Sequence, residues 1–461
     1  MIFNKKLAVA VSGAVLLMAG QFALADSTTD IVDALVSKGV LTEEEGKLIT
    51  KGATSKAKAD EKAMKSKINI SNVIDNATLY GDVRVRFEDR EASGHNLASG
   101  FENDYTRQRA RYKMTLGVKT TSQDFYSDLA IAMGSGGRSD NATFGKSATS
   151  YNDKEIVYIK RAMLGWNAKE WLTLEAGRMD NPFWTHPAFM DADLGVEGLV
   201  EKVKYKVKDT EIFFTAGQLQ YKGDRINQDA VTTTTNTNTA EFYKFQLGAA
   251  MPLTEKSSAR AAITWTAYGN NPTTPFKAMG SATAYSSMNT QGTNDLSLIE
   301  IPAEFNFMAS NTIGIRPYGH YQLNTKAKDR AQSSLNNGGL GDDSDDTAWV
   351  VGIKVASAQD LKAFSGNKSK QGDWSANLWY QEVGVWGADP NLVDSDFMDS
   401  RVNTKGIVFK GQYNIQDNVY INVAAGHAKR LNDLYGTVGQ GDISQNLKDF
   451  DLYQLDLTYK F

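Results

Sequence analysis

Cysteine is absent from all 461 residues, which excludes disulfides, thiolate metal sites and a cysteine nucleophile. Proline is scarce, at 8 residues, so the chain is no linker-rich or low-complexity assembly. Neither sign of charge dominates. The 50 Lys and Arg against 54 Asp and Glu leave a net charge of -4, and no basic excess points to nucleic acid. Beyond the first 25 residues no apolar run approaches the roughly 18 residues a membrane-spanning helix needs, in keeping with a mean hydropathy of -0.40. The four histidines, His95, His186, His320 and His427, form no HExxH motif. Gly145-Lys146-Ser147 ends like a phosphate loop, but position 140 is Asp where that loop requires Gly. Asp342, Asp343, Asp345 and Asp346 lack EF-hand order and spacing. No Ser/His or Asp/His set is marked by a motif either. The expectation is a protein that is not an enzyme and uses no metal or cofactor.

What the chain does have is glycine and aromatic residues: 39 Gly, 20 Phe, 19 Tyr and 8 Trp. That balance suits a large antiparallel β structure. Residues 1–25 read as an export signal. Lys5 and Lys6 precede an apolar run from Leu7 to Ala19, and Ala23-Leu24-Ala25 offers a cleavage site before Asp26. Removing the two lysines leaves 48 bases against 54 acids, a charge near -6. Residues 26–76 form a short helical head or spacer. Thr42 and Glu45 make a capping-box signal there. Lysines at 56, 58, 62, 65 and 67 follow.

From Ala77 the period changes to two. Leu79, Val83, Val85 and Phe87 share one face, with Asp82, Arg84, Arg86 and Glu88 on the other. Residues 107–119 repeat this with Ala110, Tyr112, Met114, Leu116 and Val118 against Arg107, Arg109, Arg111 and Lys113. The last residues do so again, from Tyr453 to Phe461. Sixteen strands are expected between 77 and 461, about 24 residues apiece including each connection. Their connections alternate short and long. That is the pattern of an outer-membrane barrel, with tight periplasmic turns and long external loops. The segment 358–372 breaks it, being long where a turn is due, and leaves the strand count open there. A barrel of about sixteen strands is too wide for side chains to fill and keeps an aqueous channel. The fold class expected is therefore all-β, a large antiparallel transmembrane β-barrel behind a short N-terminal helical segment.

Residues 172–184, LTLEAGRMDNPFW, are followed by Asp191-Ala-Asp193-Leu194 and Glu197-Gly198. With the signal segment, the head and the terminal Tyr459-Lys460-Phe461, this resembles the putative-porin family of Gram-negative outer membranes. The resemblance implies a pore for small hydrophilic solutes, set among outer-membrane lipid and lipopolysaccharide. It also implies a homotrimer, inserted by the barrel-assembly machinery that reads the terminal aromatic. The third long connection, 179–197, is the one that folds into the lumen of general porins. It carries Asp180, Asp191, Asp193 and Glu197, stiffened by Pro182 and Pro187, with Phe183, Trp184 and Phe189 available to pin it to the wall. The bases expected opposite are Arg84, Arg86, Arg109, Arg111 and Lys113, with Arg161 and Arg178 as additions. Acids on a loop facing bases on a wall would make a transverse field that sets solute selectivity. Equally open is that the arginines merely pair with acids to hold loop and wall together. A rival reading makes the whole protein a structural outer-membrane anchor touching peptidoglycan through the basic head. Solute identity and anion or cation preference stay open at this point.

Overall fold

The computed structural model describes residues 42, 44, 74–95, 102–134, 139–145, 154–222, 240–269, 296–336, 344–365, 370–394, 396, 402–433 and 447–461. The export signal, nearly all of the head and the tips of several long connections lie outside the described residues.

Sixteen long strands run in chain order. They are β1 (Asn76–His95), β2 (Glu102–Ser122), β3 (Phe125–Gly134), β4 (Ile156–Lys169), β5 (Leu172–Asp180) and β6 (Gly195–Val207). Next come β7 (Thr210–Lys222), β8 (Ala240–Thr254), β9 (Ser257–Gly269), β10 (Ser297–Met308) and β11 (Ile313–Asn324). The set ends with β12 (Thr347–Ser357), β13 (Trp374–Val383), β14 (Thr404–Gln416), β15 (Val419–Arg430) and β16 (Leu447–Lys460). Each pairs antiparallel with its neighbours, and β16 returns to β1, Asp82 opposite Lys460 and Ala92 opposite Phe450. The sheet is closed and has no edge to protect. A two-residue strand, Ala142–Thr143, pairs with β2 above the end of β3.

The alternation read from the sequence has its physical cause in this closure. Leu79, Val83, Val85, Phe87, Leu199, Ile263, Val351 and Leu455 are exposed on the outside. There, lipid replaces water as their solvent. Aromatics gather near the short turns: Phe125 stacks on Trp166, and Trp171, Tyr205, Trp374, Tyr413 and Phe461 are exposed at the same end. This is the girdle expected at one membrane interface. The segment 358–372 joins β12 to β13, and no strand lies in it among the described residues. It contains a helix, α2 (Leu361–Ser365), whose Phe364 packs against Ala356 and Ala358 over Gly314. The helix before β12, α1 (Ala327–Asn336), belongs to a long connection.

Candidate functional site

Among the described residues, the third and seventh connections fold deepest into the barrel. The third, between β5 and β6, leaves the wall where Gly177 and Gly198 stand opposite each other in register. Their φ values of +115° and +148° belong to a region other residues avoid, which accounts for the glycines in the motif. The loop then runs along the inner wall. Phe183 lies over Gly217, where a Cβ would approach its ring to 2.9 Å. The backbone of Trp184 is held from both sides by Gln246, at 2.9 and 2.8 Å, and its ring sits 4.1 Å from the Arg260 guanidinium. Thr185 donates to Glu300 at 2.6 Å. His186 lies buried among Tyr318, His320 and Trp379, its Nδ1 accepting from the Ala188 amide at 3.2 Å. Burial, with His320 and Lys410 nearby, holds its pKa well below the ordinary value, so it is neutral. Four successive residues thus step from β7 to β13, and Phe189 is buried beyond them with Val350 and Trp379.

The seventh connection, between β13 and β14, also folds inward. Sequence reading left it among the external loops. Trp386 is fully buried; its carbonyl accepts from Asn324 at 2.9 Å, and the Gly387 carbonyl from Gln322 at 2.9 Å. Asp389 takes the hydroxyls of Tyr221 on β7 and Tyr268 on β9, both at 2.9 Å. The two loops meet where Asp191 N donates to Leu392 O at 2.7 Å and Asp394 N to Pro187 O at 3.2 Å. Carboxylates crowd at this seam. Burial pushes Asp191 up to about 8, helped by Asp394 and Asp193, and burial with Asp396 pushes Asp394 up to about 6.

The bases of β1 and β2 form a wall, with Arg84 opposite Lys113, Arg86 opposite Arg111 and Glu88 opposite Arg109. Like charges this close need compensation. Arg86 makes a two-pronged contact with Asp456 at 2.7 and 2.9 Å, and Arg84 lies 3.7 Å from the same carboxylate. Glu88, fully buried, lies 2.6 Å from Arg109 and 2.9 Å from Arg90, and accepts from Gln454 at 2.7 Å. Lys113 reaches Asp140 of the second long connection at 3.3 Å, and Arg84 also bonds Asn141 there. Arg111 donates to Ser139 at 3.2 Å and to the Asn141 carbonyl at 3.4 Å, with no carboxylate within 4 Å among the described residues.

The expected facing of third-loop acids and wall bases is therefore redrawn. Of the four named acids, Asp180 meets a lumenal base, Arg161, at 2.5 Å. A bulge at Lys160 turns both Lys160 and Arg161 inward, where Arg161 also meets Asp128 at 3.2 Å and the Tyr80 hydroxyl at 2.8 Å. Arg178 and Glu197 bond each other at 2.6 Å. Their register neighbours, Ala162 and Ala176, share the face of exposed Leu164 and Leu199, so the pair lies on the exterior. Asp191 and Asp193 sit at the seam between the loops. The loop acid that does face the arginine wall is Asp396, 3.8 Å from Arg86 and 3.6 Å from Arg90. It was missed because nothing local distinguishes an in-folded connection from an external one; Trp386 in a polar connection was the available hint.

Closed, wide, apolar outside, polar within and narrowed by in-folded loops, the fold and site together define a channel-forming outer-membrane barrel. Residues 99–296 match the model of a family described as Putative porin, which bears out, over those residues, the resemblance read from the sequence. No curated protein sequence matches the chain. Among solved structures, it is similar to Pseudomonas putida OprB (10% identity, TM-score 0.48, covering 84% of this chain and 94% of that one). It is also similar to the outer membrane channel DcaP of Acinetobacter baumannii (14%, 0.40, 84% and 97%). A Salmonella typhi OmpF complex with daunomycin aligns as well (10%, 0.43, 85% and 99%). These likenesses are of fold.

Proposed function

We propose that the barrel passes small hydrophilic solutes and ions by diffusion, with selectivity set between the arginine wall of β1–β2 and the acids presented by the loops. The observation that carries this reading is Asp396 beside Arg86 and Arg90, a loop acid against a row of wall bases. Two apolar clusters hold the loops elsewhere. Phe183 and Met190 join Val200, Leu219 and Phe242, whereas Phe189, Ala388 and Val393 join Val350, Trp379, Val408 and Phe450. The second cluster reaches the arginine wall at Phe450, 6.0 Å from Arg90, so the polar route favoured is the strip of wall beside it, along Arg84, Arg86 and Arg111. A transverse field there orients dipolar solutes and screens ions, at no cost in cofactor or energy supply. A barrel this wide exceeds what an anchor needs. Cleavage of the export signal, trimer assembly and insertion by the barrel-assembly machinery accompany this reading.

Single-channel recording of the purified protein in a salt gradient is the test. The wild type should conduct, and Arg109→Ala with Arg111→Ala should shift the reversal potential toward cations. A silent barrel would overturn the channel reading; an unchanged reversal potential would overturn the selectivity.

A further inference from the structure

On the wall across from β3 and β4, one horizontal row holds three donors that the constriction does not use. Lys354 of β12 stands opposite Asn377 of β13, and Asn377 stands opposite Lys410 of β14. Neighbouring exposed residues (Val351 and Ile353, Leu378, Ile407 and Phe409) point outward, so by alternation all three point into the lumen. Two strand spacings put the lysine Cα atoms about 10 Å apart. Among the described residues neither ammonium has a carboxylate within 4 Å or a hydrogen bond. Of the nearby acids, Asp456 is engaged by Arg86 at 2.7 Å and Glu304 by Arg316 at 3.6 Å, while Asp394, on which Lys410 acts electrostatically, is buried at the seam of the two loops. The Asn377 carbonyl oxygen accepts from Tyr318 at 3.0 Å, which leaves its amide NH2 to donate. Below Lys410 lies the Trp379 ring, 5.5 Å away.

The row borders a cavity of about 330 Å3 whose charged lining is Arg84, Arg86, Lys354 and Lys410 against Asp456 alone, a net of +3. Ser375, Gln412, Asn422 and Gln454 add hydrogen-bonding groups around it. With Lys354 and Lys410 flanking an amide donor, the excess of positive charge in this cavity favours an anion between them.

We infer that Lys354, Asn377 and Lys410 form a lumenal subsite where small solutes bearing an oxyanion, a carboxylate or a phosphate, pause during passage. This rests on the channel reading, since the solute must enter the lumen. The ammonium groups supply charge and Asn377 supplies a directed donor; a neutral solute forms only the weaker, uncharged-acceptor bonds there.

The test uses the full-length protein in bilayers carrying chloride current, with malonate, inorganic phosphate or glucose added, and calorimetric titration of the same solutes in detergent. Malonate or phosphate should reduce the current and bind, and glucose should do neither. Whichever oxyanion acts at the lower concentration names the source. In Lys354→Met with Lys410→Met, the half-blocking concentration should rise about tenfold or more, as expected for losing charged hydrogen-bond donors. Lys354→Arg with Lys410→Arg should keep the block, and the single Lys410→Met should lose part of it should the double variant not fold. Equal block in wild type and Met variants, or equal block by glucose, overturns the subsite. Lysine-dependent binding in a barrel that never conducts overturns the channel reading and leaves the subsite standing.

Discussion

The third and seventh connections enter the same lumen and carry a similar message, an Asp-x-Asp pair at 191/193 and another at 394/396, yet they do different things with it. The third is fixed by hydrogen bonds, a cation over a ring and apolar packing in turn, from Phe183 to Phe189. Its acids end at a seam with the other loop. The seventh is tied at Trp386 to β11 and at Asp389 to β7 and β9, and it delivers Asp396 to the arginines. An acidic segment therefore does not announce its target. The anchors decide which wall its charges meet, because a carboxylate contributes to a field only within the few ångströms over which screening is weak.

Removing the anchor of the seventh loop should break this division most severely. Trp386 has no exposed surface, its amide donates to the Asp345 carbonyl at 3.0 Å, and Arg330 lies 5.8 Å from its ring. Trp386→Ala should cost about 3–5 kcal/mol of loop docking. Single-channel conductance should rise, and an unchanged conductance would show that the seventh loop does not narrow the route. Next comes the wall itself. Glu88→Gln leaves Arg90 and Arg109 buried without their shared carboxylate. The expected loss is about 3 kcal/mol, read as a lower midpoint in urea unfolding. The conservative Glu88→Asp should lose less.

The seam gives a smaller, pH-dependent effect. Asp191 is raised above the unfolded value of 3.8 by burial with Asp394 and Asp193, and Asp394 by burial with Asp396 and Asp193. Groups raised in the folded state bind protons more tightly there, so docking of the loops is strongest at low pH. It weakens as the pH rises from about 4 through 6 and toward 8. Hydrogen exchange of the amides in 184–194 and 384–394, corrected for intrinsic rates, should slow on going from pH 8 to pH 5. In Asp191→Asn with Asp394→Asn that dependence should vanish; if it persists, the seam is not the titrating element. The smallest effect belongs to the exterior pair. Arg178 and Glu197 are exposed by 33% and 54% at their side chains. Arg178→Ala should cost at most about 1 kcal/mol and leave the reversal potential unmoved, in contrast to the lumenal arginines.

Individual residues show how far the sequence could be read. Val83, Val85 and Phe87 against Arg84, Arg86 and Glu88 were legible because a strand between lipid and water sorts its side chains with period two. Phe183, Trp184 and Phe189 were legible as pins because large apolar groups in a polar connection need burial. Arg178 was not. Its strand kinks at Gly177, and its facing depends on the register with β4 and β6, which no local pattern states. Lys354 and Lys410 lie 56 positions apart and become neighbours across a single strand only when the sheet is paired.

By itself the order of residues determined a barrel: its greasy and wet faces, the alternation of its connections, and the aromatic residues near its turns. Those properties are local, since each depends on what one strand meets on either side. Tertiary structure alone decided that the seventh connection also turns inward, which carboxylate faces which guanidinium, and where Lys354 and Lys410 come together. Such pairings depend on closing the cylinder, which brings together side chains that the chain itself keeps hundreds of residues apart.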